Sequence, residues 1–148
     1  MITIHKVKLE DLETIIAIEQ HVFNTDSYPA FVIRQLFDIS RDYFLVAKEN
    51  DKIFGYIIGG LSTNEQKGWI LSLGVHQKGR GKGLGKKLTE GLIEVLKAKN
   101  PKEIALTVYS DNVSAIKIYK DLGFEGEEIL DNYFLDNEDR IVMALPIK

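Results

Sequence analysis

Arg80-Gly81-Lys82-Gly83-Leu84-Gly85 decides how this chain is read. It follows a strand-like run, Trp69 to Val75, and opens a helix-like run, Leu84 to Lys99. A glycine turn between a strand and a helix leaves the helix's first N–H groups without partners, pointing toward whatever occupies the turn. The charges sharpen the reading. Lys78, Arg80, Lys82, Lys86 and Lys87 crowd around the turn although the chain carries a formal net charge of -3. Cations at a helix N-terminus oppose the helix dipole, at a cost of up to about 1 kcal/mol each near the first turn. An anion removes that conflict, so the turn reads as a phosphate site.

Two common phosphate patterns fail. The dinucleotide fingerprint G-x-G-x-x-G, started at Gly79 or Gly81, ends on Leu84 or Lys86. A P-loop ending at Gly85-Lys86 needs Gly at 80 and Ser or Thr at 87, where Arg80 and Lys87 stand. What remains is Arg80-x-x-Gly83-x-Gly85. Downstream, Asn112-Val113-Ser114-Ala115-Ile116-Lys117-Ile118-Tyr119 reads as a helix, with Ser110, Asp111 and Asn112 as cap candidates and Gly123 as its stop. Asn112, Ala115 and Tyr119 share one helix face. Together, Arg80-x-x-Gly83-x-Gly85 and Asn112-x-x-Ala115-x-x-x-Tyr119 with Gly123-Phe124 resemble the two cofactor motifs of the GNAT superfamily of acetyl-CoA-dependent N-acetyltransferases. The residues alone also allow a solvated basic turn, a capping Asn112 and a core Tyr119.

Composition bounds the reading. With 148 residues, 45% of them hydrophobic, the chain can bury a core, and it reads as a single domain over residues 1–148. No apolar run is long enough to cross a bilayer, and Met1-Ile2-Thr3-Ile4 reads as a first strand and not a signal peptide. Zero cysteines exclude disulfides and a cysteinyl acyl-enzyme, and fit a cytoplasmic protein. His5, His21 and His76 lack metal-ligand spacing, so no metal is expected. The only basic patch sits on the glycine turn, which gives no push toward nucleic acid.

The remaining chain sorts into elements. Ile2 to Val7 is a strand, and Leu12 to Phe23 and Ala30 to Ile39 have helical periodicity, the second led by Pro29. Tyr43 to Lys48 and Ile53 to Leu61 form a hairpin around Asn50-Asp51. Strands are expected at 69–75, Ile104 to Tyr109, Phe124 to Tyr133 and Ile141 to Leu145, and Pro101 marks the end of the helix after the glycine turn. The order β-α-α-β-β-β-α-β-α-β-β matches the GNAT order. The resemblance therefore implies an α/β (α+β) fold. Its central sheet is mixed, mostly antiparallel and twisted, of about seven strands flanked by four helices, with splayed middle strands.

The resemblance also implies a site. Acetyl-CoA is the donor, its pyrophosphate held by the turn from Arg80 through Gly81, Lys82, Gly83, Leu84 and Gly85 to Lys86. Its pantetheine arm lies along Leu73, Gly74 and Val75 and against Asn112, and a backbone N–H polarises the acetyl oxygen. Tyr119 faces the sulfur as general acid. With no covalent intermediate, the amine attacks directly in a ternary complex. The C-terminal part, Asp131-Asn132-Tyr133-Phe134 and Val142-Met143-Ala144-Leu145-Pro146, is similar to ribosomal-protein alanine and N-terminal acetyltransferases.

The base is where this sequence departs from that pattern. The family's bacterial ribosomal branch places a Glu where Thr107 stands here, and Thr107 cannot serve. Another branch puts a carboxylate between the first two helices, where Asp26 falls beside Tyr28; Asp26 is either that base or an ordinary turn aspartate. A water chain from the Trp69 or Thr107 carbonyls and the Tyr133 hydroxyl is the other option. Tyr28, Tyr133 and Phe134 are either walls of a peptide slot or core packing. At pH 7 an α-amine is about 15% neutral and a lysine about 0.04%, so weak basic assistance matches protein N-termini best. A small amine such as a polyamine, amino acid or aminoglycoside remains the rival acceptor, with Asp26, Asp131, Asp136, Glu138 and Asp139 available for it. A non-catalytic acetyl-CoA-binding module is the other alternative. No nucleic-acid or membrane partner is expected, and the chain reads as a monomer or homodimer.

Overall fold

A computed structural model describes residues 1–64 and 66–148. One seven-stranded sheet runs through it in the order β1-β2-β3-β4-β5-β7-β6. The strands are β1 (Thr3–Lys6), β2 (Phe44–Glu49), β3 (Lys52–Leu61), β4 (Lys67–Val75), β5 (Glu103–Val108), β6 (Ile129–Leu130) and β7 (Arg140–Pro146). The helices are α1 (Leu12–Phe23), α2 (Ala30–Ser40), α3 (Leu84–Lys97) and α4 (Val113–Asp121). Every strand pairing is antiparallel except that of β4 with β5, which α3 connects as a crossover. The hairpin turn is where the sequence places it. Asn50 and Asp51 both adopt positive φ, 52° and 64°, as a two-residue turn matched to strand twist requires.

Both faces of the sheet are covered, which is why β2 and β3 read as near-continuous apolar runs. Phe44, Val46, Tyr56 and Ile58 point to one face and pack with Ile15, Ile18, Ile33 and Phe37 of α1 and α2. Leu45, Ala47 and Ile57 point to the other and meet α3. Leu84, Leu88, Leu92 and Leu96 recur every four residues along α3 and are all essentially inaccessible. Burying each such side chain contributes about 1.5–3 kcal/mol.

Two features open the middle of the sheet. β4 and β5 pair only over Lys67–Trp69 and Glu103–Ala105, and beyond that no ladder joins them. In the β3–β4 ladder Ile58 faces Ser72 while Gly59 faces Ile70, so Leu71 is an extra residue. A bulge of this kind bends its strand and re-aims the side chains beside it. The divergence of β4 from β5 is the splay expected of the middle strands.

One strand departs from the sequence reading. Of the run Phe124 to Tyr133, only Ile129–Leu130 pairs continuously, with a single bridge from Glu125 to Ala144 before it. Gly126, at φ 140°, lies so close to the Val142 carbonyl that a β-carbon would collide with it, and the strand breaks there. Beyond Leu130, Asn132, Leu135 and Asn137 take positive φ, so 131–139 winds into turns instead of continuing the strand. The run Phe124 to Tyr133 reads as one strand in the sequence, and the backbone demands at Gly126 and Asn132 interrupt it.

Candidate active site

The glycine turn has the geometry an anion requires. Gly81 and Gly83 sit at φ 78° and 73°, a conformation in which other residues are strained, and a β-carbon on either would meet open space. Gly83 is the N-cap of α3 and offers no side-chain cap, and the first turn holds no acidic residue. Among the described residues, the N–H groups from Gly81 to Lys86 have no hydrogen-bond partner. Arg80 and Lys82 are exposed beside them. The start of α3 lies against β4 and α4, which flank the opening between β4 and β5. A methyl added at Gly85 would lie 3.8 Å from Leu73 and 3.6 Å from Ile118 of α4.

That opening is a cleft of about 390 Å³ lined by residues from both faces of the sheet. On the side of α3 and α4 it is lined by Ile70, Leu73, Leu106, Val108, Ala115 and Tyr119, which belong to or pack on the α3 core. On the side of α1 and α2 it is lined by Glu19, Asp26, Tyr28, Leu71 and Ser72. Strand alternation gives Thr107 and Tyr109 to this second side, since Leu106 and Val108 face the first. Phe134, Asp136 and Arg140, brought in by the 131–139 turns and the start of β7, complete the lining.

Tyr119 stands on the wall of the cleft. Its ring is 7% exposed and packs edge-on against Phe124 at 5.7 Å. The hydroxyl has no hydrogen-bond partner among the described residues, yet it is not sealed from solvent. Burial pushes its pKa up to about 12, so the phenol keeps its proton throughout the physiological range. Asn112 is the N-cap of α4; its side-chain oxygen accepts the Ala115 N–H at 3.3 Å, and it also lines the cleft. Capping and cleft lining are thus combined in one residue.

Asp26, in a short 3-10 turn after α1, accepts a hydrogen bond from the Tyr109 hydroxyl at 2.7 Å. That bond, with partial burial, pushes Tyr109 up to about 12. The Arg140 guanidinium lies 3.8 Å from the Tyr109 ring centre, donates to the Tyr109 hydroxyl at 3.1 Å, and pairs with Asp136 at 2.7 Å. Tyr28 donates its hydroxyl to the Leu71 carbonyl, the residue of the bulge, at 3.3 Å. Burial, and then the charge of Glu19, hold the Tyr28 phenol above its ordinary pKa.

Two of the expected residues lie outside the lining. Trp69 sits at the last paired position below the splay, its ring under the Lys67 ammonium at 4.6 Å, and is not part of the lining. Tyr133 is exposed and stacks edge-on against Phe134, which takes its place in the cleft. Both residues lie in the turns after Leu130, where strand alternation no longer decides which side chain faces inward. Gly74 has a packing task besides any backbone role. It lies against the Tyr56 ring, with no room for a β-carbon.

The sequence reading missed Glu19, Tyr109 and Arg140. Glu19 is 1% exposed and held by three donors: the Tyr28 N–H at 2.8 Å, the Ser72 hydroxyl at 2.6 Å and the Tyr56 hydroxyl. It stood out only as a carboxylate on the apolar face of α1, a position that demands partners. Among the described residues, no group of three His, Asp or Glu side chains could hold a metal ion.

This architecture is that of an N-acetyltransferase, and the chain belongs to the Acetyltransferase (GNAT) family, whose model matches residues 9–124. It is similar to an N-alpha-acetyltransferase of Sulfurisphaera tokodaii, 29% identical, with 97% of this chain and 92% of that protein covered. Among solved structures it resembles Ard1 from Thermoplasma volcanium, with a TM-score of 0.90 and 26% identity over 99% of this chain and 98% of that one. It also resembles the ribosomal-protein-S18-alanine N-acetyltransferase of Escherichia coli, with a TM-score of 0.85 and 26% identity over 100% and 95% of the two chains.

Proposed function

We propose that this enzyme transfers the acetyl group of acetyl-CoA to the α-amine of a protein N-terminus by direct attack. One observation carries the reading: the cleft is lined from both faces of the sheet, with the Tyr119 phenol on the α3 side and Asp26 and Tyr28 on the other. Donor and acceptor can therefore enter from opposite faces and meet between β4 and β5. The unpaired N–H groups from Gly81 to Lys86, with Arg80 and Lys82, suit a pyrophosphate. The thioester arm then follows Leu73, Gly74 and Val75 past Asn112, and the departing sulfur takes the Tyr119 proton.

On the acceptor side Thr107 offers no base, and Asp26 takes the amine proton, directly or through water. Help of this kind suits an α-amine, already partly neutral near pH 7, better than a lysine. The named relatives and structural neighbours support the same class, since an N-alpha-acetyltransferase and a ribosomal-protein-alanine N-acetyltransferase are among them. Of the five acidic residues offered for a polyamine, Asp26 and Asp136 line the cleft and Asp136 is committed to Arg140; Glu19, which also lines it, is taken up by three donors. Short peptides varying in their first two residues, incubated with acetyl-CoA and read by mass spectrometry, test the proposal. Acetylation at the α-amine is expected; lysine or polyamine acetylation outrunning it would overturn the acceptor class.

A further inference from the structure

The 131–139 segment forms one wall of the acceptor side, yet every residue in it is exposed. Its own bonds are local. The Asn132 carbonyl accepts from the Leu135 N–H, the Asn132 side chain from the Asn137 N–H, and the Asp136 side chain from the Glu138 N–H. No apolar anchor holds it, and Leu135 is 84% exposed. What ties it to the body is Arg140, a 7% exposed residue at the start of β7. The guanidinium donates to Asp136 and to the Asp139 carbonyl from the segment itself, and lies between the Tyr109 ring and the Phe134 ring, 5.1 Å from the latter's centre. A third donor contact reaches the Tyr109 hydroxyl, which donates its own hydrogen bond to Asp26 on the opposite wall.

Four side chains from four places in the sequence thus form one connected path, Asp136–Arg140–Tyr109–Asp26, across the acceptor side of the cleft. Planar stacking and a fork of donors are properties of arginine that lysine does not reproduce. The hydroxyl of Tyr109 is used twice, as acceptor from a cation and as donor to a carboxylate, and each charge-assisted bond strengthens the other.

We propose that Arg140 and Tyr109 are positioning residues for the acceptor: Arg140 sets the 131–139 segment as one wall, and Tyr109 links it to the Asp26 carboxylate on the other. The proposal rests on this side of the cleft being the acceptor side. In this arrangement Asp26 is oriented before the amine arrives, and the distance between the two walls is fixed by the length of the bridge. Preset geometry of this kind lowers the cost of ordering the acceptor.

Two variants separate the two links. Tyr109→Phe keeps the ring under the guanidinium and removes only the bridge to Asp26. Arg140→Ala frees the segment, and Arg140→Lys serves should the alanine variant fail to fold, since it keeps the charge but loses stack and fork. Amide exchange by NMR on the protein without ligands is the first readout. Tyr109→Phe is expected to speed exchange at Ser27, whose N–H closes the Asp26 turn, and to leave Leu135 and Asn137 protected. The Arg140 variants are expected to speed exchange at Leu135 and Asn137. Unchanged exchange at Ser27 in Tyr109→Phe, or at Leu135 and Asn137 in the Arg140 variants, would overturn the proposal. The second readout is kinetic: Tyr109→Phe should lower kcat/KM for the acceptor peptide about tenfold, the loss of one hydrogen bond to a charged group, with KM for acetyl-CoA unchanged. An equal loss toward both substrates would mean a merely structural role. The exchange arm needs no acceptor, so the bridge can fail while the acceptor class stands, and the reverse.

Discussion

Replacing Tyr119 by Phe isolates the proposed chemistry from the fold. The ring stays where it is, 7% exposed and edge-on to Phe124, so packing is unaltered. The hydroxyl makes no bond to any described residue, so its removal breaks nothing and leaves no orphaned partner. Stability should therefore stay within about 0.5 kcal/mol of the parent, the range of substitutions that touch no special feature. The departing thiolate, by contrast, loses its proton donor. General acids contribute about 10²–10⁴ in rate, and an alkyl thiolate is itself a tolerable leaving group, so the lower half of that range applies here. A fall in kcat of about a hundredfold is expected, with the KM for acetyl-CoA nearly unchanged, because the contact matters in the transition state and not in the ground state. The assay is thiol release at saturating acetyl-CoA and acceptor peptide, beside urea unfolding of both proteins. With a pKa near 12, the phenol also predicts no alkaline limb in the parent's kcat from Tyr119 below about pH 11. A variant that folds normally and turns over at the parent rate would remove Tyr119 from the mechanism.

Four further outcomes follow from the same geometry. Arg80→Ala with Lys82→Ala should weaken CoA binding about tenfold at low ionic strength and less at high, since both side chains are exposed and their field is screened; calorimetry at two salt concentrations reads this. Gly74→Ala drives a methyl into the Tyr56 ring, which is itself fully buried, and should cost about 1–3 kcal/mol of stability by urea unfolding. Glu19→Gln can keep its oxygen toward the Tyr28 N–H and offer its NH₂ to the Ser72 and Tyr56 hydroxyls, which rotate to accept, so it should cost only about 1 kcal/mol; Glu19→Leu strands three donors and should cost at least about 3 kcal/mol. At high pH the unfolded chain gives up the Tyr119 proton near 10 and the folded chain only near 12, so the stability present below pH 10 is lost as pH rises through that window; Tyr119→Phe should shrink the loss at pH 11 by about 1 kcal/mol in urea unfolding.

The features assigned to the proposed donor half were legible in the sequence because their determinants are local. A turn that needs glycine at 81 and 83, an uncapped helix start and an i, i+3, i+7 face on α4 are each encoded within a dozen residues, and the structure places them as read. The strand that breaks at Gly126 was not legible. The crowding there comes from the Val142 carbonyl on β7, and no periodicity within the segment reports a neighbour's backbone. Trp69 and Tyr133 lie outside the cleft lining for related reasons: one sits below the divergence of β4 and β5, a register fact, and the other lies in turns where the sequence reads as strand.

The acceptor half is long-range throughout, and that difference has a consequence for specificity. Asp26 and Tyr109 are separated by 83 positions, Tyr109 and Arg140 by 31, and Glu19 and Ser72 by 53, so each contact depends on the completed sheet. Glu19 makes the point most sharply. A single carboxylate joins α1 to the backbone of Tyr28 and to hydroxyls on β3 and β4, beside the bulge that opens the cleft. Tyr56 can reach it only because Gly74, on the neighbouring strand, leaves room for the ring. Gly74, assigned to the proposed donor arm, is thus also the residue that allows the proposed acceptor side to be tied together. A substitution that enlarges Gly74 should disturb acceptor recognition as well as the donor, through Tyr56, Glu19 and the Tyr28 backbone in turn. The two halves of the cleft differ in how far apart their determinants lie in the chain, but they share the packing of β3 against β4.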